Sequence, residues 1–255
     1  MRPIGFSTGA LAFSDFQAGL QILRANRIDT VELSALRENE LTPLVNTLDS
    51  LDLSSFKYIS FHAPSKYEKL REAEVIDTLR KVAIRKWPII LHPDVIQDFS
   101  AWNSFGQLLL IENMDKRNVC GRTVTELADI FVKLPQAGLC FDVGHCRQVD
   151  PTMSESRLIL REFKSRLKQL HMSEVNSRST HDAITEAAIG AFEKISYLIP
   201  ENIPVILEST VQGTEVEAEI GHARSALPLP KTNSAQMKEP EFHGRGSRPK
   251  HALYF

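Results

Sequence analysis

No apolar run in these 255 residues approaches the roughly 20 that a membrane-spanning helix requires. The N-terminus also lacks a basic segment followed by an apolar stretch, so neither secretion nor membrane insertion is expected and the cytoplasm is the expected location. Cysteine is scarce: Cys120, Cys140 and Cys146 are odd in number and form no CxxC pair. They read as reduced thiols, with Cys140 and Cys146 as small buried fillers rather than metal ligands. An excess of charge of one sign is missing too, since 30 Lys and Arg face 32 Asp and Glu. Nothing in that balance attracts a phosphate backbone in general, so nucleic acid is not the indicated partner, although a local basic rim could be hidden in the total. The first candidate strand is not followed by a Gly-rich phosphate loop, which counts against an open, doubly wound dinucleotide-binding sheet.

What is present is an ordinary globular composition, 42% apolar and 24% charged, in a chain long enough to bury a core without disulfides. Short apolar runs recur and predict strands over Pro3–Ser7, Thr30–Leu33, Lys57–His62, Trp87–His92, Gln107–Glu112, Gly138–Asp142, Leu167–His171 and Pro204–Glu208. Helix-compatible spacing is clearest over Asp15–Asn26, Tyr67–Val82, Val124–Leu134, Glu155–Phe163 and Asp182–Leu198, with Ser14 and Thr123 as expected N-caps. Strands alternating with helices imply right-handed βαβ units and a parallel sheet, and eight units in this length match a closed (β/α)8 barrel. Residues 1–227 are therefore expected to form a single α/β domain, a TIM barrel. From 228 to 255 the chain turns rich in Pro, Gly, Ser and basic residues and reads as a flexible tail. Lys238, Arg245, Arg248 and Lys250 in it offer the sharper reading of a basic arm for an anionic partner.

The residues that terminate the apolar runs carry the chemistry. The last six runs end in His62 or His92, in Glu112, in Asp142, in His171 and in Glu208, and an earlier one leads to Glu32. A charged group or imidazole at the end of a buried strand is costly unless something satisfies it. In a barrel those ends converge on one face. Taken singly, a strand-end His is more often a hydrogen-bonded bystander and a Glu merely the start of a loop. Together, three imidazoles and three carboxylates form a borderline-hard donor set suited to Zn, Mn, Co or Mg. In Asp142-Val-Gly-His145 a second imidazole follows a strand end, with Gly144 expected to permit a tight turn that aims it inward. Arg178 and His181 follow in the loop after the seventh strand, and His222, His243 and His251 receive no role.

Phe61-His62-Ala63-Pro64, Ile111-Glu112-Asn113, Phe141-Asp142-Val143-Gly144-His145, Leu170-His171-Met172-Ser173 and Ile206-Leu207-Glu208 occur in this order on the expected strands. From Gly5 to about Leu227 the chain thereby resembles the xylose isomerase-like TIM barrels, which include sugar phosphate isomerase/epimerases and abasic-site nucleases of the endonuclease IV type. The epimerase branch implies one divalent ion among Glu112, Asp142, His171 and Glu208. Glu112 and Glu208 would then be the catalytic acid/base pair, moving a proton next to a carbonyl by way of an enediolate. Glu32, His145, Arg178 and His181 would contact a small sugar or sugar phosphate. The nuclease branch implies up to three zinc ions: one at His62, His92 and Glu112, a second at Glu112, Asp142, His171 and Glu208, a third at His145, His181 and an Asp of the following loop. Two positions before His181, where that pattern has Asp, stands Ser179. Three functions compete: a metal-dependent isomerase or epimerase, which leads; a metal-dependent hydrolase of phosphodiesters or related small molecules; and a metal-binding barrel without turnover. Homo-oligomerisation is left open.

Overall fold

A computed structural model describes residues 2–228, so the expected tail lies outside the described residues from position 229 onward. Eight strands alternate with helices: β1 (Ile4–Ser7), β2 (Thr30–Ser34), β3 (Tyr58–His62), β4 (Ile89–Leu91), β5 (Leu109–Glu112), β6 (Gly138–Asp142), β7 (Leu167–Met172) and β8 (Val205–Leu207). Each pairs in parallel with its successor, and β8 closes on β1 through Ile4 beside Val205, giving a closed (β/α)8 barrel. All eight expected strands form, with ends displaced by two residues at most. Among the described residues no helix is long and apolar enough to cross a membrane.

Alternation along each strand sorts the side chains into two environments. Phe61 of β3, Leu33 of β2, Ile111 of β5, Phe141 of β6 and Leu170 of β7 belong to one continuous apolar layer shared with the helices. The intervening residues face the barrel interior. Ile90, Leu110 and Cys140 form a separate small apolar cluster there. Ser60, Gln169 and Glu32 form a buried polar chain, in which Ser60 Oγ donates to Glu32 (3.0 Å), Gln169 Nε2 donates to Glu32 (2.7 Å) and the Tyr58 hydroxyl donates to Gln169 (2.7 Å). The burial of Cys140 and Cys146 agrees with their reading as fillers, and burial pushes the Cys146 thiol up to about 12.

Three expected helix boundaries are corrected. Asp15, not Ser14, caps the Phe16–Ala25 helix, its carboxylate accepting from Ala18 N–H at 3.0 Å; Thr123 caps Val124–Lys133 as expected. The helix expected from Tyr67 starts at Glu72, because the Glu38 carboxylate accepts the backbone N–H groups of Glu68, Lys69 and Leu70 and holds that stretch as a turn. The segment expected as a helix from Asp182 begins as a strand residue instead. His181–Asp182 pair antiparallel with Glu174–Val175 in a small hairpin, and the helix runs over Glu186–Glu193 behind its Thr185 cap.

Candidate metal centre

The carboxyl ends of β3 to β8 bring His62, His92, Glu112, Asp142, His171 and Glu208 to one face, where they meet His145 and His181. Four overlapping groups have ligand atoms within 4.8 Å of one another: Glu32 with His62, His171 and Glu208; His62 with His92 and Glu112; Glu112 with Asp142, His171 and Glu208; and Asp142 with His145 and His181. Local bonds decide which atom each residue presents. His62 Nδ1 donates to the Ala63 carbonyl at 2.7 Å, since a carbonyl only accepts, so Nε2 is the nitrogen left to face a cation. That Nε2 lies 3.1 Å from Glu112 Oε2, and His92 Nε2 lies 3.2 Å from the same oxygen. His145 Nδ1 donates to the Asn113 carbonyl at 3.0 Å, which again leaves Nε2 as the free nitrogen.

Asp142 is split between two tasks. Its Oδ1 caps the Val143–Val149 helix by accepting His145 N–H at 2.6 Å, while its Oδ2 is buried without a hydrogen bond. Asn113 fixes the backbone beneath it, donating to the Asp142 carbonyl and accepting the Asp142 N–H, both at 2.8 Å. Gly144 does not make the tight turn expected of it; it lies within that helix. A Cβ there would come within 2.5 Å of the Ser173 carbonyl oxygen, so glycine lets the helix start press against the end of β7.

His171 shows the same division. Its Nε2 donates to Glu32 Oε2 at 3.1 Å, and its Nδ1, buried without a hydrogen bond, faces Glu112 Oε1 at 3.2 Å and Glu208 Oε1 at 3.5 Å. Burial alone would lower the His171 pKa, but the neighbouring Cys140, Glu208, Glu32 and Glu112 raise it well above its ordinary value. Burial pushes the Glu112 carboxyl up, yet the His171 and His92 charges outweigh this and hold it well below the usual carboxylate range. Glu208 goes the other way: burial raises its carboxyl well above that range, and the Glu112 and Asp142 charges add to the rise against the pull of His171.

These features fit a divalent cation. The unpartnered Asp142 Oδ2 and His171 Nδ1 belong to one donor group, and buried polar atoms of this kind require a partner. The groups that aim the donors are also in place, since Glu32 behind His171 and the Ala63 and Asn113 carbonyls behind His62 and His145 orient each imidazole.

Glu32, expected to contact substrate, is fully buried behind His171 and is not among the residues lining the cavity. Arg178, also expected there, sits exposed at the tip of the hairpin and is not among the residues lining the cavity. Arg117, which sequence reasoning missed, does line it, steadied by two bonds to Asp115 Oδ2, from Nε at 3.0 Å and Nη2 at 2.7 Å. The only signal for it was its place just beyond the β5 terminus. Ser179 stands where an Asp was sought and bonds to Gln148; the carboxylate that joins His145 and His181 is Asp142. His181 is held by Ser173 Oγ at 2.8 Å, and burial together with His145 lowers its pKa to about 4, keeping it in the neutral form that ligates. The cavity over these groups measures about 620 Å³.

No protein-family model matches this chain, and no curated protein matches it by sequence. By structure it is similar to endonuclease IV from Thermus thermophilus, with a TM-score of 0.57 and 18% identity over 89% of this chain and 99% of that one. It is similar as well to a xylose isomerase domain containing protein from Salmonella typhimurium (TM-score 0.55, 14% identity, 89% and 97% covered). A xylose isomerase-like TIM barrel protein from Mycobacterium smegmatis, in complex with magnesium, matches at a TM-score of 0.55 and 12% identity, with 89% and 98% covered. The chain shares the barrel fold of these proteins, and its activity has to be argued from its own side chains.

Proposed function

We propose that this chain is a hydrolase of phosphate esters that works with two or more divalent ions, with zinc the best match to its nitrogen-rich donors. One observation carries the reading: Glu112 faces two ways. Its Oε2 lies 3.1 Å from His62 Nε2 and 3.2 Å from His92 Nε2, and its Oε1 lies 3.2 Å from His171 Nδ1. A carboxylate whose two oxygens serve separate imidazole sets is suited to bridging two cations, whereas a one-metal isomerase leaves His62 and His92 without a task. Ions held there would supply Lewis-acid stabilisation of a phosphate's developing charge and an acidified water near neutral pH.

The chain's own groups do the rest. Glu208, whose carboxyl is raised well above its ordinary range by burial, sits at the cavity wall where it can carry a proton to or from an ester oxygen. Arg117, held in place by Asp115, offers its guanidinium to a phosphate oxygen. Hydrolysis of bis(p-nitrophenyl) phosphate by the zinc-loaded chain is the test. Wild type should turn it over, and His92→Ala should lose at least about a hundredfold in kcat, more than the loss of a group that merely orients a ligand. An unaffected rate in that variant would sink the bridged-metal reading.

The isomerase or epimerase reading on a small sugar-like substrate is kept for one reason. Glu112 and Glu208 share a donor group and could act as an acid/base pair on a substrate bound between them. Turnover of a ketose phosphate that survives His92→Ala would select it.

A further inference from the structure

Phe13 follows the short helix Thr8–Ala12 with φ 53° and ψ −119°. The same backbone region is occupied at Gly106 (φ 54°, ψ −126°), where glycine meets it without steric cost. An aromatic residue there is strained, and strain of this kind gathers at ligand-binding sites. The ring takes no part in the core in return. It is 64% exposed and belongs to neither buried cluster, yet it lines the same cavity as His92, Glu112 and His181, together with Ala10, Leu36 and Arg117.

Resting on the phosphate-ester reading above, we infer that Phe13 is a stacking platform for an aromatic ring of the substrate, which is therefore a nucleotide-type phosphate ester. The phosphate lies toward the metal donors and Arg117, and the base lies flat on Phe13. Aromatic side chains take bases in this way without regard to base identity. The near-neutral net charge is consistent with a free nucleotide or a short strand end, which need no extended basic groove.

The test is equilibrium binding of AMP and of ribose 5-phosphate to the full-length, zinc-loaded protein by calorimetry. Wild type should bind AMP about tenfold more tightly or better. Phe13→Gly should bring the two affinities within about twofold by weakening AMP alone, and it should not lower the Tm, because glycine relieves the strain. Phe13→Trp should keep the preference. A 5′-phosphorylated single-stranded dodecanucleotide that exceeds AMP through Phe13 would point to strand ends, and equal binding to free nucleotides; both uphold the platform. A preference that survives Phe13→Gly, or a wild type that does not discriminate, overturns it even if phosphodiesters are hydrolysed. A Phe13-dependent preference without hydrolysis would sink the proposed reaction and leave the platform standing. If neither ligand binds, both fall.

Discussion

The two faces of the same eight strands are built to opposite rules. On β3, Ile59 and Phe61 face the helices, whereas Ser60 bonds Glu32 and His62 approaches Glu112. On β7, Leu170 and Met172 face outward, and Gln169 and His171 carry the polar chain inside. The outer face gains roughly 1.5–3 kcal/mol for each large side chain it removes from water. The inner face buries Glu32, Glu112, Asp142 and His171 almost completely, which costs free energy unless every charge finds a partner. The difference teaches that the sheath stabilises the barrel while the interior holds a costly array of donors in position. Substitutions on the two faces should therefore separate stability from metal binding.

The largest effect is expected at the point where the interior groups join. Glu112→Gln keeps the volume but removes the charge that serves both donor sets, so bound metal should fall by at least one ion and turnover by more than about a hundredfold. Elemental analysis and steady-state kinetics check both, and undiminished metal would break the proposed bridge. On the outer face, Phe61→Ala should cost about 3–5 kcal/mol in denaturant unfolding while the folded protein keeps its metal stoichiometry. A loss of metal without a loss of stability would erase the contrast.

Glu32→Gln is the intermediate case. It leaves His171 without its anionic partner, and metal affinity should drop by about 10- to 100-fold with the fold intact, as read by competition with a chelator. An unchanged affinity would demote Glu32 to a packing role. The smallest effect is a pH dependence of the metal-free chain. Glu208 and His171 have folded pKa values raised above their ordinary 4.5 and 6.5, so each binds more protons folded than unfolded. Their contribution is full below those ordinary values and is lost as pH rises through the shifted ones. Glu112, shifted down, contributes above 4.5 and is already complete at neutral pH. The Tm of the metal-free protein should thus fall as pH rises above about 6.5, by about 2–4 °C per kcal/mol lost. Zinc-loaded protein, in which cations replace those protons, should stay flat over that window.

Much of this was legible in the residues. Apolar runs of strand length located the eight strands, and the His, Glu or Asp closing the last six located the donor face, because a parallel barrel places every strand's carboxyl end on one side. The interior below that face was harder to see. Ser60 and Gln169 interrupt apolar runs in ways that alternation explains once the barrel is closed, but neither is distinctive alone. Glu32 was legible as a strand residue, but not its burial behind His171, since the sequence does not say how deep on a strand a side chain sits relative to its neighbours. Arg117 and the meeting of His181 with Asp142 and His145 depend on loops folding over the mouth, and spacing does not encode their path. Phe13 gave no signal, because its meaning lies in a backbone angle.

The most direct test of the bridged centre is the number of divalent ions per chain in freshly purified protein, measured by elemental analysis without added metal. Two or more equivalents, dropping by one in His92→Ala, are what the two-faced Glu112 predicts. A single equivalent that His92→Ala leaves unchanged, or none with no uptake on titration, would contradict it.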